Sequence, residues 1–200
     1  MRLVLAAALL LPTAAAAGPS LGLRVGWATG LGDARKGTPI EEVAKAQVPI
    51  QLDATWRFTD RFAAGLYFSY GFGVLGSAVA DECDRLGADC SVATLRLGVQ
   101  GTYLLPQLAD RLLPWIGAGI GYEWAREHVS APGFSTTQVV SGWELLNLQG
   151  GADWVLGEKW AFGPYAILSF GRYSSVDGND IGEKDWHEWL HLGVRGKIDF

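Results

Sequence analysis

Charge is scarce in this 200-residue chain: Asp, Glu, Lys and Arg make up 18% of it, against about a quarter in ordinary soluble domains. A water-facing domain with so few charges and nine tryptophans would be poorly matched to its solvent. The balance is acidic, with a formal charge of −5, so the basic surface that a nucleic-acid partner requires is missing. Beyond residue 17 there is no long uninterrupted apolar run, which excludes a helical membrane span. Cysteine is limited to Cys83 and Cys90, too few for a cysteine-based metal site.

The N-terminus sets the compartment in which those cysteines are read. Met1-Arg2 is followed by an apolar stretch from Leu3 to Leu11 and by Ala14-Ala15-Ala16-Ala17-Gly18. A charged start, a short apolar core and an Ala-x-Ala site form an export signal, with cleavage expected after Ala17 and a single mature domain over 18–200. Pro12 and the small-residue run leave the apolar stretch too short for a membrane helix. In an exported chain the closely spaced Cys83 and Cys90 are expected to form a disulfide. Closing so small a loop is worth roughly 2–3 kcal/mol, which marks a loop staple with no redox role.

What the chain has in abundance is alternation. Over 190–200, Leu190, Leu192, Val194, Gly196, Ile198 and Phe200 share one parity; His191, Gly193, Arg195, Lys197 and Asp199 share the other. Side chains of a strand point to opposite faces in turn, so the segment has one apolar and one charged face. Seven further segments repeat the pattern: 20–30, 48–58, 62–73, 91–104, 114–125, 143–156 and, least cleanly, 160–173. Each is about as long as a tilted strand that crosses a bilayer. The connections at 59–61 and 157–159 are short and that at 106–113 is intermediate, whereas 31–47, 74–90, 126–142 and 174–188 are long and polar. Short turns at one end and long loops at the other predict an eight-stranded antiparallel up-and-down transmembrane β-barrel, with both termini on the periplasmic side.

Parity alone leaves the outward face open, because a soluble lipocalin-type barrel would turn the apolar set inward. An eight-stranded interior is just wide enough to be filled by side chains, and the Trp-, Phe-, Tyr- and Leu-rich parity would overfill it. The other parity is rich in glycine and carries charges of both signs: Arg24, Arg57, Arg96, Arg195 and Lys197 against Asp53, Glu123, Asp153 and Asp199. Buried charges must pair, and this set predicts an interlocked lumen network, a plug, in preference to a small porin-like channel. Aromatics collect at strand ends, Trp56, Phe58, Phe62, Tyr103, Trp154, Trp160 and Phe200 at one end and Trp27, Tyr70, Phe72, Tyr122, Trp124 and Trp143 at the other. Two such girdles around an aliphatic band suit the two bilayer interfaces.

On these features the chain resembles the small eight-stranded outer-membrane proteins, the OmpA-like and OmpX-like barrel class. The resemblance spans 18–200 and is architectural. The class's C-terminal assembly signal, a terminal aromatic preceded by apolar residues at alternate positions, is matched by Phe200, Ile198, Val194 and Leu192, with Gly196 departing from it. The resemblance implies a bacterial outer-membrane location, insertion by the barrel-assembly machinery, contact with outer-membrane lipid and lipopolysaccharide, and a monomer without cofactor or nucleic-acid partner. It also implies a non-enzymatic, structural or surface-interaction role through the extracellular loops.

Two motifs offer chemistry. His128-Val129-Ser130, with Glu144 beyond the loop, supplies the parts of a nucleophilic site, and its His-x-Ser spacing is similar to that of outer-membrane lipid A deacylases. Ala131 stands where those enzymes carry Asn. The segment 177–188 matches an EF-hand loop at its first, third, sixth, ninth and twelfth positions (Asp177, Asn179, Gly182, Asp185 and Glu188), but Ile181 replaces an oxygen ligand. The expectation is a solvated acidic loop and no enzyme, with lipid A deacylation as the rival.

Overall fold

A computed structural model describes residues 18–35, 37–182 and 184–200; the export signal lies outside the described residues. Eight long strands carry the alternating pattern: β1 (Pro19–Arg35), β2 (Ala44–Arg57), β3 (Phe62–Leu75), β4 (Asp89–Leu104), β5 (Leu112–Ala131), β6 (Phe134–Leu156), β7 (Trp160–Val176) and β8 (His187–Asp199). Each pairs antiparallel with its sequence neighbours. β8 also pairs with β1, from Ser20 opposite Asp199 to Gly32 opposite His187. The sheet therefore closes on itself and leaves no edge in the barrel wall.

The partition of side chains is the reverse of a soluble protein's. Leu21, Leu23, Leu52, Leu66, Leu97, Ile120, Leu148 and Val194 face outward and are exposed, whereas Arg24, Arg96, Glu123, Asp153 and Asn147 are almost completely buried inside. An apolar exterior of this extent is matched only by lipid. The soluble barrel with an apolar interior is thereby excluded. Trp56, Phe58, Tyr103, Trp154 and Trp160 ring the end that carries the short turns, and Trp27, Phe72 and Trp143 ring the other.

The ends of the strands depart from the expected layout. The connection 126–142 is no open loop: β5 and β6 run on, paired residue by residue, to a two-residue turn between Ala131 and Phe134. Pro132 and Gly133 make that turn, and Gly133, at φ 79°, takes the left-handed conformation that glycine adopts without strain. The polar composition there reflects strands that have left the membrane, where neither face needs to be apolar. The second long connection holds a helix, α2 (Ser77–Leu86), closed by Gly87 in the left-handed conformation. Cys83 on α2 is bonded to Cys90 on β4, with their Cα atoms 6.2 Å apart. On the exposed face of α2 the Arg85 guanidinium donates to Glu82 and holds its carboxyl below the usual carboxylate range.

The first long connection turns inward. A single helical turn, α1 (Ile40–Val43), buries Ile40 against Ala28, Ala44, Val92 and Trp189 at the barrel mouth. Gly76 donates to the Val43 carbonyl at 2.9 Å. A Cβ at position 76 would lie 2.1 Å from the Glu42 carbonyl oxygen, so only glycine lets these two connections touch.

Reduction of the Cys83–Cys90 bond is expected to loosen α2 and leave the barrel closed, because the bond joins a helix outside the wall to the end of one strand. Limited proteolysis should then cut within 77–88 much faster, while the heat-dependent gel mobility of the folded barrel stays unchanged. Loss of that mobility shift on reduction would show that the bond supports the whole fold.

Candidate functional site

Below its outer mouth the interior is filled by side chains that bond to one another. At the end near the termini, Arg57 and Lys197 both reach Asp199, at 3.0 and 3.1 Å, and a cavity of about 30 Å³ remains between Arg24, Arg57, Arg195 and Lys197, room for about one water. Above it Arg24 Nε donates to Asp53 at 2.6 Å and its Nη1 to Gln149 at 2.8 Å. Arg195 Nε donates to Asp153 at 2.9 Å, and its guanidinium lies 3.6 Å from the centre of the Trp115 ring. The Trp115 indole also donates to Asp153, at 3.2 Å. Gln51, Gln100, Gln149 and Asn147 knit these pairs together through their amides.

Further toward the loops, Arg96 Nε donates to Glu144 at 2.6 Å and Arg96 Nη1 lies 3.0 Å from His191 Nε2. Tyr67 donates to the same carboxylate at 3.1 Å, as does the Asn147 amide. Higher still, Tyr173 donates to Glu123, and the His187 ring stacks on Tyr173 with centroids 4.0 Å apart. Large rings fit because glycines face them: a Cβ at Gly98 or Gly121 would meet the Tyr67 hydroxyl at 2.5 or 2.1 Å, and one at Gly151 would meet Trp115 at 2.7 Å.

Of the charged residues expected in the lumen, Arg24, Asp53, Arg96, Glu123, Asp153 and Arg195 are buried there, Arg57, Lys197 and Asp199 are half-buried at the end near the termini, and one acid joins them. Strict alternation puts Glu144 on the same parity as Leu146 and Leu148, facing lipid. A bulge between Glu144 and Leu146 sends Leu145 and Leu146 outward together and leaves Glu144 1% exposed. The named interior charges then balance, with Arg24, Arg57, Arg96, Arg195 and Lys197 against Asp53, Glu123, Glu144, Asp153 and Asp199. Glu144 is the counter-ion of Arg96.

Neither motif of the outer segments assembles. His128 lies on the β5–β6 hairpin, with its Nδ1 2.8 Å from Thr137 Oγ1, and Ser130 faces Ser135 across the ladder. Glu144 sits opposite Gly121, seven residues down β5 from His128 and so roughly 23 Å away along the strand. In the last connection, Asp177 and Gly178 form a two-residue turn with φ 49° and 80°, the Asp-Gly signature of a tight hairpin. The Asp177 carboxylate accepts from the Val139 N–H at 2.8 Å. Asn179 pairs with Val176, Asp185 accepts from the Trp186 N–H at 2.8 Å, and Glu188 lies in β8 opposite Phe170. Among the described residues no three His, Cys, Asp or Glu side chains converge as metal ligands would.

At the outer mouth the packing opens into a cavity of about 260 Å³ beneath α1, lined by valines, isoleucines and alanines, by the rings of Tyr173 and Trp189, and by the polar Thr94, Glu127 and Gln138. Nothing in the pattern of the sequence announces it, because its roof is the turn carrying Ile40, which reads as loop.

A closed barrel with a lipid-matched exterior and a charge-paired interior is a transmembrane β-barrel of the bacterial outer-membrane type. Solved structures with this fold include Neisserial surface protein A (TM-score 0.60, 10% identity, 92% of this chain and 97% of that one). A major outer membrane protein from Thermus thermophilus is equally similar (TM-score 0.60, 13% identity, 93% and 100%). Ail, the attachment invasion locus protein of Yersinia pestis, has a TM-score of 0.50 (12% identity, 90% and 98%). At such identities the likeness is one of fold. No family model and no curated protein matches the sequence.

Proposed function

We propose that the protein is a non-conducting, non-enzymatic barrel of the outer membrane that works through its outer end. The observation that carries this reading is the filled lumen: Arg24, Arg96 and Arg195 are each bonded to a carboxylate and buried among amides and rings, so the guanidiniums that could line a conducting path are tied up across it. The outer end, by contrast, carries a hairpin that rises past its neighbours, a stapled helix and the mouth cavity. The similar folds include a protein named for the surface and one named for attachment, which favours the same reading. The exposed apolar band and its girdles suit a monomer among outer-membrane lipid and lipopolysaccharide. Phe200 and Ile198, with Phe200 exposed beside the β1–β8 seam, are the residues we assign to recognition by the barrel-assembly machinery.

Purified protein in a planar bilayer is expected to give no steady unitary current, and the lipid A mass spectrum of cells is expected to be the same with and without it. A stable ion-selective conductance that Arg96→Ala alters would replace the plug by a pore. Loss of an acyl chain from lipid A that depends on His128 and Ser130 would make the protein an enzyme.

A further inference from the structure

The mouth cavity joins two properties that rarely meet without an occupant. Its walls include Ile40, Val43, Val92, Val140, Val176 and Ile181, an apolar enclosure larger than the ~150 Å³ cavity that suffices to hold benzene. Yet the layer at its floor contains every buried side-chain nitrogen or oxygen left without a hydrogen-bond partner among the described residues: Gln47 Nε2, both ring nitrogens of His187, and Trp189 Nε1. Trp189 lines the cavity and is 1% exposed. His187 stacks on Tyr173, which lines it too. Gln47 lies behind the lining residue Thr94, whose hydroxyl donates to its amide oxygen. Gln47 Nε2 and the Trp189 indole are donors, and a neutral His187 ring adds one donor and one acceptor, with its Nε2 3.9 Å from the Glu123 carboxylate. An unmet buried donor is costly, and of these Trp189 is the one that lines the cavity.

Charge narrows the occupant. The lining includes the carboxylate Glu127 but no lysine or arginine, and Glu123 lies just below, bonded to Tyr173. An anion would be repelled by these acids, and the Trp189 indole, which lines the cavity with its N–H unpartnered, can only donate and so calls for an acceptor, not a cation. We propose that the cavity binds a compact neutral amphiphile, its apolar body against the valine and isoleucine walls and a carbonyl oxygen accepting from the Trp189 indole N–H. This goes beyond the role proposed above and does not depend on it, since binding is read on the purified barrel.

The test uses the full chain in lipid nanodiscs, labelled with ¹⁵N at tryptophan, and follows the indole N–H signals. Trp189→Phe identifies the signal of interest. Methyl octanoate, octanoate and octylamine serve as neutral, anionic and cationic probes of equal chain length. Methyl octanoate is expected to shift the Trp189 signal to saturation while the girdle tryptophans Trp27 and Trp143 only drift with lipid partitioning; the two charged probes are expected to give drift alone. Val140→Trp and Val176→Trp, each filling the cavity from a different strand, should abolish the saturable shift and keep the heat-dependent mobility of the folded barrel. Ether-lipid nanodiscs distinguish the sources: a signal already shifted in ester lipids and restored in ether lipids means that a bilayer ester occupies the site, and an unchanged signal means that the ligand arrives from outside. Drift without saturation for all three probes, or saturation that survives both filling variants, would overturn the proposal and leave the donor layer to water.

Discussion

Arg96→Ala should cost about 3–5 kcal/mol of barrel stability, measured by urea unfolding in lipid vesicles with gel mobility as the readout of the folded state. The substitution leaves the Glu144 carboxylate buried with only Tyr67 and Asn147 to bond it, and an uncompensated charge in a dry interior is the costly case. The double variant Arg96→Met with Glu144→Gln should recover most of that loss. It removes both charges, keeps the volume, and retains an acceptor for the Tyr67 hydroxyl. Recovery would assign the cost to the orphaned charge and not to the hole left by the side chain. A loss under about 1 kcal/mol for the single variant would mean that water reaches Arg96, and with it that the lumen is not sealed.

The second large effect concerns the opposite face. Leu66 is 57% exposed and lies midway between Phe62 and Tyr70, which belong to the two aromatic girdles, so it sits near the centre of the bilayer. Leu66→Arg is expected to destabilise the barrel by about 2–4 kcal/mol. Leu108, more exposed at 73% but in the turn between β4 and β5, should accept arginine at almost no cost. In a water-soluble barrel both changes would be mild, since exposed leucines gain nothing from water. The contrast between the two positions therefore tests the membrane boundary independently of any likeness to other proteins.

The strand pattern is legible because a membrane barrel must obey period two on both faces: lipid tolerates no charge outside, and the narrow lumen tolerates few large groups inside. That is why parity alone places Arg24, Asp53, Arg96, Glu123, Asp153 and Arg195. Where the constraint lapses, so does the reading. Parity puts Glu144 in the wrong environment because one bulge inverts it, and a bulge has no signature in a run such as Trp-Glu-Leu-Leu-Asn. The strands above the outer girdle, including His128 and Ser130, look like loop because water no longer selects between their faces. Helix α2 carries only a short apolar stripe, Val79, Cys83 and Leu86, within a polar run, and its ten residues are pinned by a disulfide and a glycine cap. The donor layer of the mouth escapes for another reason. Gln47 and Trp189 lie just outside the predicted segments 48–58 and 190–200, and His187 sits in a polar run, so only their convergence in space gives them meaning.

The seam between β1 and β8 sets the order in which the protein can be made. One edge of β1 pairs locally with β2, but the other edge, from Ser20 to Gly32, finds its partners in residues 187–199, a sequence separation spanning most of the chain, and pairing over such distances is intrinsically slow. Until that pairing forms, β1 offers a bare edge of unmet N–H and C=O groups beside a sheet whose outward face is greasy, which is the arrangement most prone to stick to other chains. The hairpins between neighbouring strands can assemble early and locally, whereas closure is a single late event that converts an open, adhesive sheet into a finished wall. A variant that weakens the seam would consequently reveal itself first as lost yield in assembly, long before any change appeared in the completed barrel.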